Sequence, residues 1–443
     1  MNNENYIIKI KFITSFIFVG LWILFCCFIQ YPWFKSLQDV FGTLIAMLII
    51  IGLSFLPAVM IIFLLFGVIF DNPKRYKIRY DLLENITILI AAYNEEESIY
   101  NTLKSIAKQE YPKKIIVKVI DNNSKDKTKY EIFRAINDFS RNNKITIEYL
   151  FEKTKGKFAA LNHGLETVTT RYVITIDADT FLYRNALIDL VNNMYIRNQT
   201  QKVAAIAGTV MVKNSSVNIL TKIQDWEYFL SIASIKRMQG LFGSVLVAQG
   251  AFSIYDNKLL KDLGGWKDSI GEDIVLTWEL LSKEYKTYYA DCAVSFTNVP
   301  TKFKIYARQR ARWARGMIEG FRHFSFKECS NGYAKWFIFS DLFLFVIDFS
   351  IVFIYIPGLV AAILFQNFLI VGFVTLLLLP ITVLVFSVMF ISEYKRVYKM
   401  LNIKCSKNYL SFIVFMLFYS IIMSPICVWG YLQEFIGAKR KWK

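Results

Sequence analysis

The chain is poor in the residues that build metal and redox centres. Only two histidines, His163 and His323, occur in 443 residues, which excludes histidine-rich metal sites. The six cysteines, Cys26, Cys27, Cys292, Cys329, Cys405 and Cys427, are scattered. They form neither a metal-ligand pair nor a disulfide framework, so a reducing compartment suits the soluble part. Acidic residues number 35 against 52 basic ones, yet no zinc-finger spacing or basic–aromatic RNA signature accompanies that excess. Nucleic acid is therefore not an expected partner. Internal repeats and low-complexity tracts are also missing. The first apolar run has no clear small-residue cleavage site, so it reads as a retained span rather than a signal peptide.

What is abundant is apolar. Hydrophobic residues make up 55% of the chain, and the mean hydropathy is +0.37. They are clustered, and a membrane span needs about 20 of them in a row. Residues 12–31 predict a first transmembrane helix. Residues 40–70 predict a second, interrupted by Pro57 and ended by Asp71-Asn72-Pro73-Lys74-Arg75. Further spans are expected at 336–364, 368–391 and 409–435, the last broken by Pro425. Asp341 and Asp348 share one face of the third span, where they either pair structurally or line a polar path.

The formal charge of +17 fits positive-inside loops, and basic residues also suit an anionic substrate. The basic 71–335 block and the basic 393–408 loop both belong inside, which makes residues 1–39 a first helix with a short cytosolic amino terminus. Five spans would then carry Lys439-Arg440-Lys441 outside, against the rule. Either the last segment is re-entrant or the tail is an exception. The sequon Asn122-Asn123-Ser124 falls in the cytosolic part and should stay unglycosylated.

Between the apolar ends, residues 71–300 predict a soluble α/β domain. Strands are expected at 86–92, 115–120, 145–150, 172–176 and 203–207, with helices at 99–109, 127–139, 157–168 and 185–195. Such alternation favours a mostly parallel sheet with helices on both faces. Ligands bind such sheets at the carboxyl ends of the strands, where Asp121, Asp177 and Asp179 stand. Residues 301–335 predict basic amphipathic helices on a membrane interface, and 336–443 a transmembrane region of about three spans.

Four groups of residues carry chemistry. Asp177-Ala178-Asp179 ends a strand, and its hard carboxylate oxygens suit Mg²⁺ or Mn²⁺ bridging phosphates. Ala92-Tyr93-Asn94-Glu95 and Asp121 end neighbouring strands and can receive a base and ribose, whereas Ser124, Asp126 and Thr128 look like turn and cap residues. Lys155-Gly156-Lys157 can meet a diphosphate at a helix start, or be a solvated pair. Glu272 and Asp273 open a helix, where Asp273 is either a general base or a plain N-cap. Gln309-Arg310-Ala311-Arg312-Trp313 offers guanidinium groups for phosphate and a flat indole for a sugar ring.

Together these motifs resemble the membrane-integrated processive synthases of glycosyltransferase family 2, which make cellulose, chitin, hyaluronan and poly-N-acetylglucosamine. The two-plus-three span pattern looks most like the bacterial poly-N-acetylglucosamine synthases. The resemblance implies a GT-A catalytic domain embedded between transmembrane helices. It implies uridine binding by Ala92, Tyr93, Glu95 and Asp121, and contact of Lys157 with UDP. Asp179 would ligate the metal with help from Asp177. Asp273 would be the base, with Glu272 beside it at the catalytic and acceptor site. Gln309, Arg310 and Arg312 would hold pyrophosphate, and Trp313 the acceptor end. One departure stands out: Gly271-Glu272-Asp273 replaces the family's usual Thr-Glu-Asp.

The resemblance further implies an inverting enzyme of the plasma membrane that passes its β-linked polymer through its own helices. The expected donor is UDP-N-acetylglucosamine. The alternatives are a UDP-glucose-using β-glucan synthase and a single-transfer glycolipid synthase. A small membrane or cyclic di-GMP-sensing accessory subunit is an expected further partner, because no cyclic di-GMP-binding domain follows the last span.

Overall fold

Runs of isoleucine, valine and threonine, too apolar to face water on either side, build the centre of this protein. The computed structural model describes residues 2–70, 76–405 and 407–439. Helices α1 (Asn2–Ile50) and α2 (Leu56–Phe70) open the chain. An alternating region follows: β1 (Ile86–Ala92), α3 (Ile99–Ala107), β2 (Ile115–Asp121), α4 (Thr128–Phe139), β3 (Ile145–Phe151), α5 (Lys157–Glu166), β4 (Tyr172–Ile176), β5 (Thr180–Leu182), α6 (Ala186–Asn198) and β6 (Val203–Val212). Then come α7 (Ile219–Tyr228), α8 (Lys236–Leu241), β7 (Phe252–Asp256), α9 (Asn257–Asp262), α10 (Glu272–Ser282) and β8 (Lys286–Thr297). Helices α11 (Phe303–His323), α12 (Gly332–Ser350), α13 (Ile356–Phe365), α14 (Phe373–Glu393) and α15 (Tyr409–Phe435) follow.

Two compact units form. One comprises Met1–Asn72, Ala307–Ala314 and Trp336–Gln433; the other comprises Pro73–Tyr306, Arg315–Lys335 and Glu434–Lys443. The predicted stop at Asp71-Asn72-Pro73-Lys74-Arg75 lies outside the described residues, as do Arg440 and Lys441 of the basic tail.

The second unit is built on an eight-stranded sheet in the order β3-β2-β1-β4-β7-β6-β8-β5. Four pairings are parallel: β1 with β2, β2 with β3, β1 with β4, and β6 with β8. Strand β7 runs antiparallel between β4 and β6, and β5 runs antiparallel along β8. The mostly parallel sheet expected from the sequence is present, and its five predicted strands coincide with β1, β2, β3, β4 and β6. Strands β5, β7 and β8 were not expected. Strand β5 has three residues, and β8 carries Asp291 and a register irregularity against β6, which blur an apolar run. Parallel strands covered on both faces lose alternation, and Ile86, Ile88, Leu89 and Ile90 of β1 are all fully buried.

In the first unit, α1 turns sharply at Gly42, whose φ of 77° suits glycine. The two arms pack as a hairpin. Lys11 Nζ donates to the Phe70 carbonyl at 2.7 Å, and Phe63 meets the rings of Phe12 and Phe16. Two π-helical turns, Ile51–Phe55 and Ile351–Tyr355, each stand just before a proline, Pro57 and Pro357. Proline lacks an N–H and crowds the carbonyl four residues back, so the helix widens there. The widened turns meet, and a Cβ on Gly52 would collide with the side chain of Ser350, which precedes the second of them. Asp348 accepts from Ser424 Oγ at 2.7 Å and Tyr431 Oη at 2.8 Å, the structural pairing that a carboxyl in a span needs. Among the described residues, three stretches are long and apolar enough to cross a membrane: Tyr6–Gly67, Gly332–Phe365 and Tyr409–Phe435. The first covers the predicted span 12–31 and most of the predicted span 40–70.

The second unit also holds the end of the chain. Arg315 Nε and Arg322 Nη1 bind the two Glu434 oxygens at 3.0 and 2.8 Å, and Arg315 Nη2 donates to the Ala438 carbonyl at 2.7 Å. Arg315 and Glu434 are both buried. Removing one partner of a buried pair leaves the other charge uncompensated. Glu434→Ala should therefore cost about 3 kcal/mol or more, measured as a drop in thermal unfolding temperature, and should expose the tail to carboxypeptidase.

Candidate active site

The site of the second unit grows from the carboxyl ends of β1, β2 and β4. Strand β2 ends on Asp121, which is buried. Its Oδ1 accepts the Ser124 N–H at 2.9 Å and its Oδ2 accepts the Tyr149 hydroxyl at 3.0 Å. Burial and the bond to Asp121 push the Tyr149 phenol above its usual range, so it remains a donor. The Asn122 N–H donates to the Ala92 carbonyl at 2.8 Å, which sets Ala92 and Asp121 side by side. Asn94 has a φ of 54°, and this turn is held by Ser124 Oγ and Thr128 Oγ1 on the N–H groups of Asn94 and Glu95. Ser124, Asp126 and Thr128 thus do bond backbone, as their turn chemistry suggests, while Tyr93 and Glu95 stay partly open to solvent.

Asp177-Ala178-Asp179 forms the turn after β4. The Asp177 N–H donates to the Ala251 carbonyl at 3.3 Å, and the Thr180 N–H to the Asp177 carbonyl at 3.0 Å. Buried Thr102 caps the Ala178 carbonyl at 2.7 Å. Both aspartates are partly accessible.

Lys157 begins α5 immediately after Gly156, whose φ of 137° few other residues tolerate. Asn122 reaches over from β2 and accepts the Gly156 N–H at 2.9 Å. Lys157 Nζ then meets Asp177 Oδ1 at 2.6 Å and Glu272 Oε1 at 3.5 Å. Burial disfavours this ammonium, but Asp177, Glu272 and Asp273 outweigh it and hold the lysine above its usual range. Lys157, Asp177, Glu272 and Asp273 are therefore gathered in one place from three separate segments.

Sequence reasoning missed what holds Asp273 there. The Gly250 N–H donates to Asp273 Oδ2 at 3.3 Å, and a Cβ on Gly250 would lie 2.5 Å from Lys157 Nζ. The Glu319 carboxylate accepts the Gly271 N–H at 3.3 Å and the Ile270 N–H beside it, at the positive end of α10. Gly271 and Gly316 touch backbone to backbone, with a Cβ on Gly271 only 2.8 Å from Gly316 Cα. That contact accounts for the glycine in place of the family's threonine. A Gly-x-x-x-Gly pair at Gly316 and Gly320 was the available signal, because Gly320 in turn abuts Ile274 and Trp278.

Gln309, Arg310, Arg312 and Trp313 belong to the first unit. There Arg310 is fully buried, lies 3.9 Å from the Trp313 ring, and donates to Gln309 Oε1 at 2.6 Å. Gly430 of α15 fits against Ala311 and Ala314.

An α/β sheet of this mixed topology, with acidic residues at its strand ends, is of the GT-A kind. The comparisons agree. Residues 84–316, just over half the chain, match the model of "Glycosyltransferase like family 2", and the chain belongs to that family. It is 34% identical over 248 residues to a poly-β-1,6-N-acetyl-D-glucosamine synthase of Staphylococcus epidermidis, covering 56% of this chain and 58% of the relative. The Staphylococcus aureus protein of the same name is 34% identical over 274 residues, covering 60% and 64%. The chain thus spans about three-fifths of the length of the curated relatives it matches. Among solved structures, a mannosyltransferase from Pyrobaculum calidifontis, in complex with GDP-Man and Mn²⁺, shares the fold. Its TM-score is 0.54 at 18% identity, over 80% of this chain and 88% of that one. The family domain thus sits in a chain that also carries apolar helices long enough to cross a membrane.

If the Gly271–Gly316 contact places the acidic pair, Gly271→Thr should reduce UDP release by roughly a hundredfold, the scale of a displacement of about 1 Å. Circular dichroism of the variant should remain that of the parent.

Proposed function

We propose that the protein transfers N-acetylglucosamine from its UDP derivative to the end of a growing β-linked polysaccharide and passes the polymer across the membrane. The convergence of Lys157, Asp177, Glu272 and Asp273 at the sheet edge carries this reading. The names of the relatives support the choice of sugar, and nothing comparable supports the UDP-glucose or glycolipid alternatives.

In this reading Ala92, Tyr93, Glu95 and Asp121 receive uridine, and Lys157 meets the diphosphate as a point charge. The donor set fits a divalent cation: Asp179 and Asp177 supply hard oxygens, and Lys157 already occupies a cation's place against Asp177 at 2.6 Å. Mg²⁺ or Mn²⁺ held there would neutralise charge on the leaving diphosphate. Asp273 takes the proton of the acceptor hydroxyl as its oxygen bonds to the anomeric carbon and the bond to UDP breaks. One displacement inverts the anomeric centre without a covalent enzyme intermediate. Glu272 keeps Lys157 aligned beside the acceptor. By resemblance, Gln309, Arg310 and Arg312 serve the pyrophosphate and Trp313 the acceptor sugar.

We infer also that the catalytic domain faces the cytosol of a plasma-membrane, multi-pass protein. The tail then lies on the same side, since Arg315 and Arg322 hold Glu434 within the catalytic unit. An even number of crossings after residue 332 follows, which favours a re-entrant segment among the last three apolar runs.

Protein in nanodiscs supplied with UDP-N-acetylglucosamine and Mg²⁺ or Mn²⁺ should make long polymer, seen by sizing the intact product and by its breakdown with a β-1,6-specific hydrolase. Single-sugar adducts would sink the polymer reading. Asp273→Asn should lower UDP release by roughly a hundredfold or more, while donor binding, measured by calorimetry, persists.

A further inference from the structure

The site has a second buried lysine. Lys236 follows directly on a π-helical turn, Phe229–Ile235, and opens α8, with only 7% of its surface exposed. Wide turns of this kind re-aim side chains. Its amino group bonds the side-chain carbonyl of Gln249. The Gln249 amide donates to the Gly208 carbonyl at 2.6 Å, so the glutamine is fixed from both ends. The same turn is pinned by the Tyr255 hydroxyl on the Ala248 carbonyl at 2.6 Å and by the Ala248 N–H on Thr277 Oγ1 at 3.0 Å. The next residue, Gly250, donates its N–H to Asp273. The charges that act on this network are Asp273 and Glu272 on α10 and Lys157 on α5, with the phenol of Tyr255 on β7.

We propose that Lys236 is a positioning residue for the transfer, acting on Asp273 through the Gln249–Gly250 turn and through its own charge, so that its loss of a proton quickens the reaction. This rests on the reading of Asp273 as the base. Burial pushes Lys236 down to about 7, with Asp273 pulling it back up. Below that point an ammonium stabilises the nearby carboxylate and holds back its acceptance of a proton. Above it the lysine is neutral, still donates to Gln249, and leaves the carboxylate more ready to take the acceptor proton.

The test is kcat for UDP release at saturating substrates, in nanodiscs, from about pH 6 to about pH 8. Wild-type kcat should rise roughly threefold or more across a limb centred near pH 7. Lys236→Arg, which keeps its charge throughout, should stay on the low plateau. Lys236→Met, which has none, should be flat over the same range. A flat or falling wild-type profile overturns the proposal. So does an unchanged limb in both variants with an even loss of rate, the mark of a purely structural lysine. Asp273→Asn separates the two readings. If it releases UDP at the wild-type rate, the base assignment fails; if its release falls roughly a hundredfold or more while the limb survives in both Lys236 variants, the Lys236 proposal alone fails.

Discussion

Carboxylates repel one another, and this protein gathers several of them at one edge of its sheet. Asp177, Glu272 and Asp273 can share that edge only because Lys157 stands among them, 2.6 Å from the first and 3.5 Å from the second. Much of the local structure follows from seating this lysine. Gly156 takes a backbone conformation that few residues could, Asn122 reaches from β2 to hold it, and Gly250 has no side chain because Lys157 Nζ fills the space. In the proposed reading, a diphosphate would compete for Lys157 while its cation would meet the carboxylate charge of Asp177 in the lysine's stead.

The acidic helix start depends on a second constraint, the absence of side chains at Gly271 and Gly316. Backbone contact brings the carboxyl-terminal part of α11 against the start of α10, and Glu319 then binds the exposed N–H groups there. The same stretch of α11 supplies Arg315 and Arg322, which hold Glu434. One helical segment therefore serves both the position of the acidic helix start and the anchorage of Glu434. In the membrane unit, two prolines impose two widened turns, and Gly52 lets those turns meet.

Much of the catalytic unit could be read directly. Strands β1, β2 and β4 are largely β-branched runs that end on Ala92, on Asp121 and just before Asp177, and the predicted helices begin and end within about three residues of expectation, as terminal turns do. The candidate residues of that unit were all visible as motifs. Strands β5, β7 and β8 were not: β5 has only three residues, β7 lies antiparallel between two strands and leaves no alternation to detect, and Asp291 with a register irregularity breaks up β8. Lys236, Gly250, Gly316 and Glu319 were also hidden. A lysine in a helix reads as solvated, a glycine as a turn and a glutamate as surface charge, until the partners are known.

Sequence by itself determined the inventory: apolar stretches long enough for lipid, a sheet whose strands end in acid, and a lysine at a helix start. These depend on local pattern, which period and composition encode. Only the tertiary structure decided which acids share a lysine, why Gly271 stands where a threonine is usual, and that Glu434 is held within the catalytic unit. Those are contacts across 20 to 119 residues of chain. Their energies come from burial and charge at close range, which no window of sequence contains.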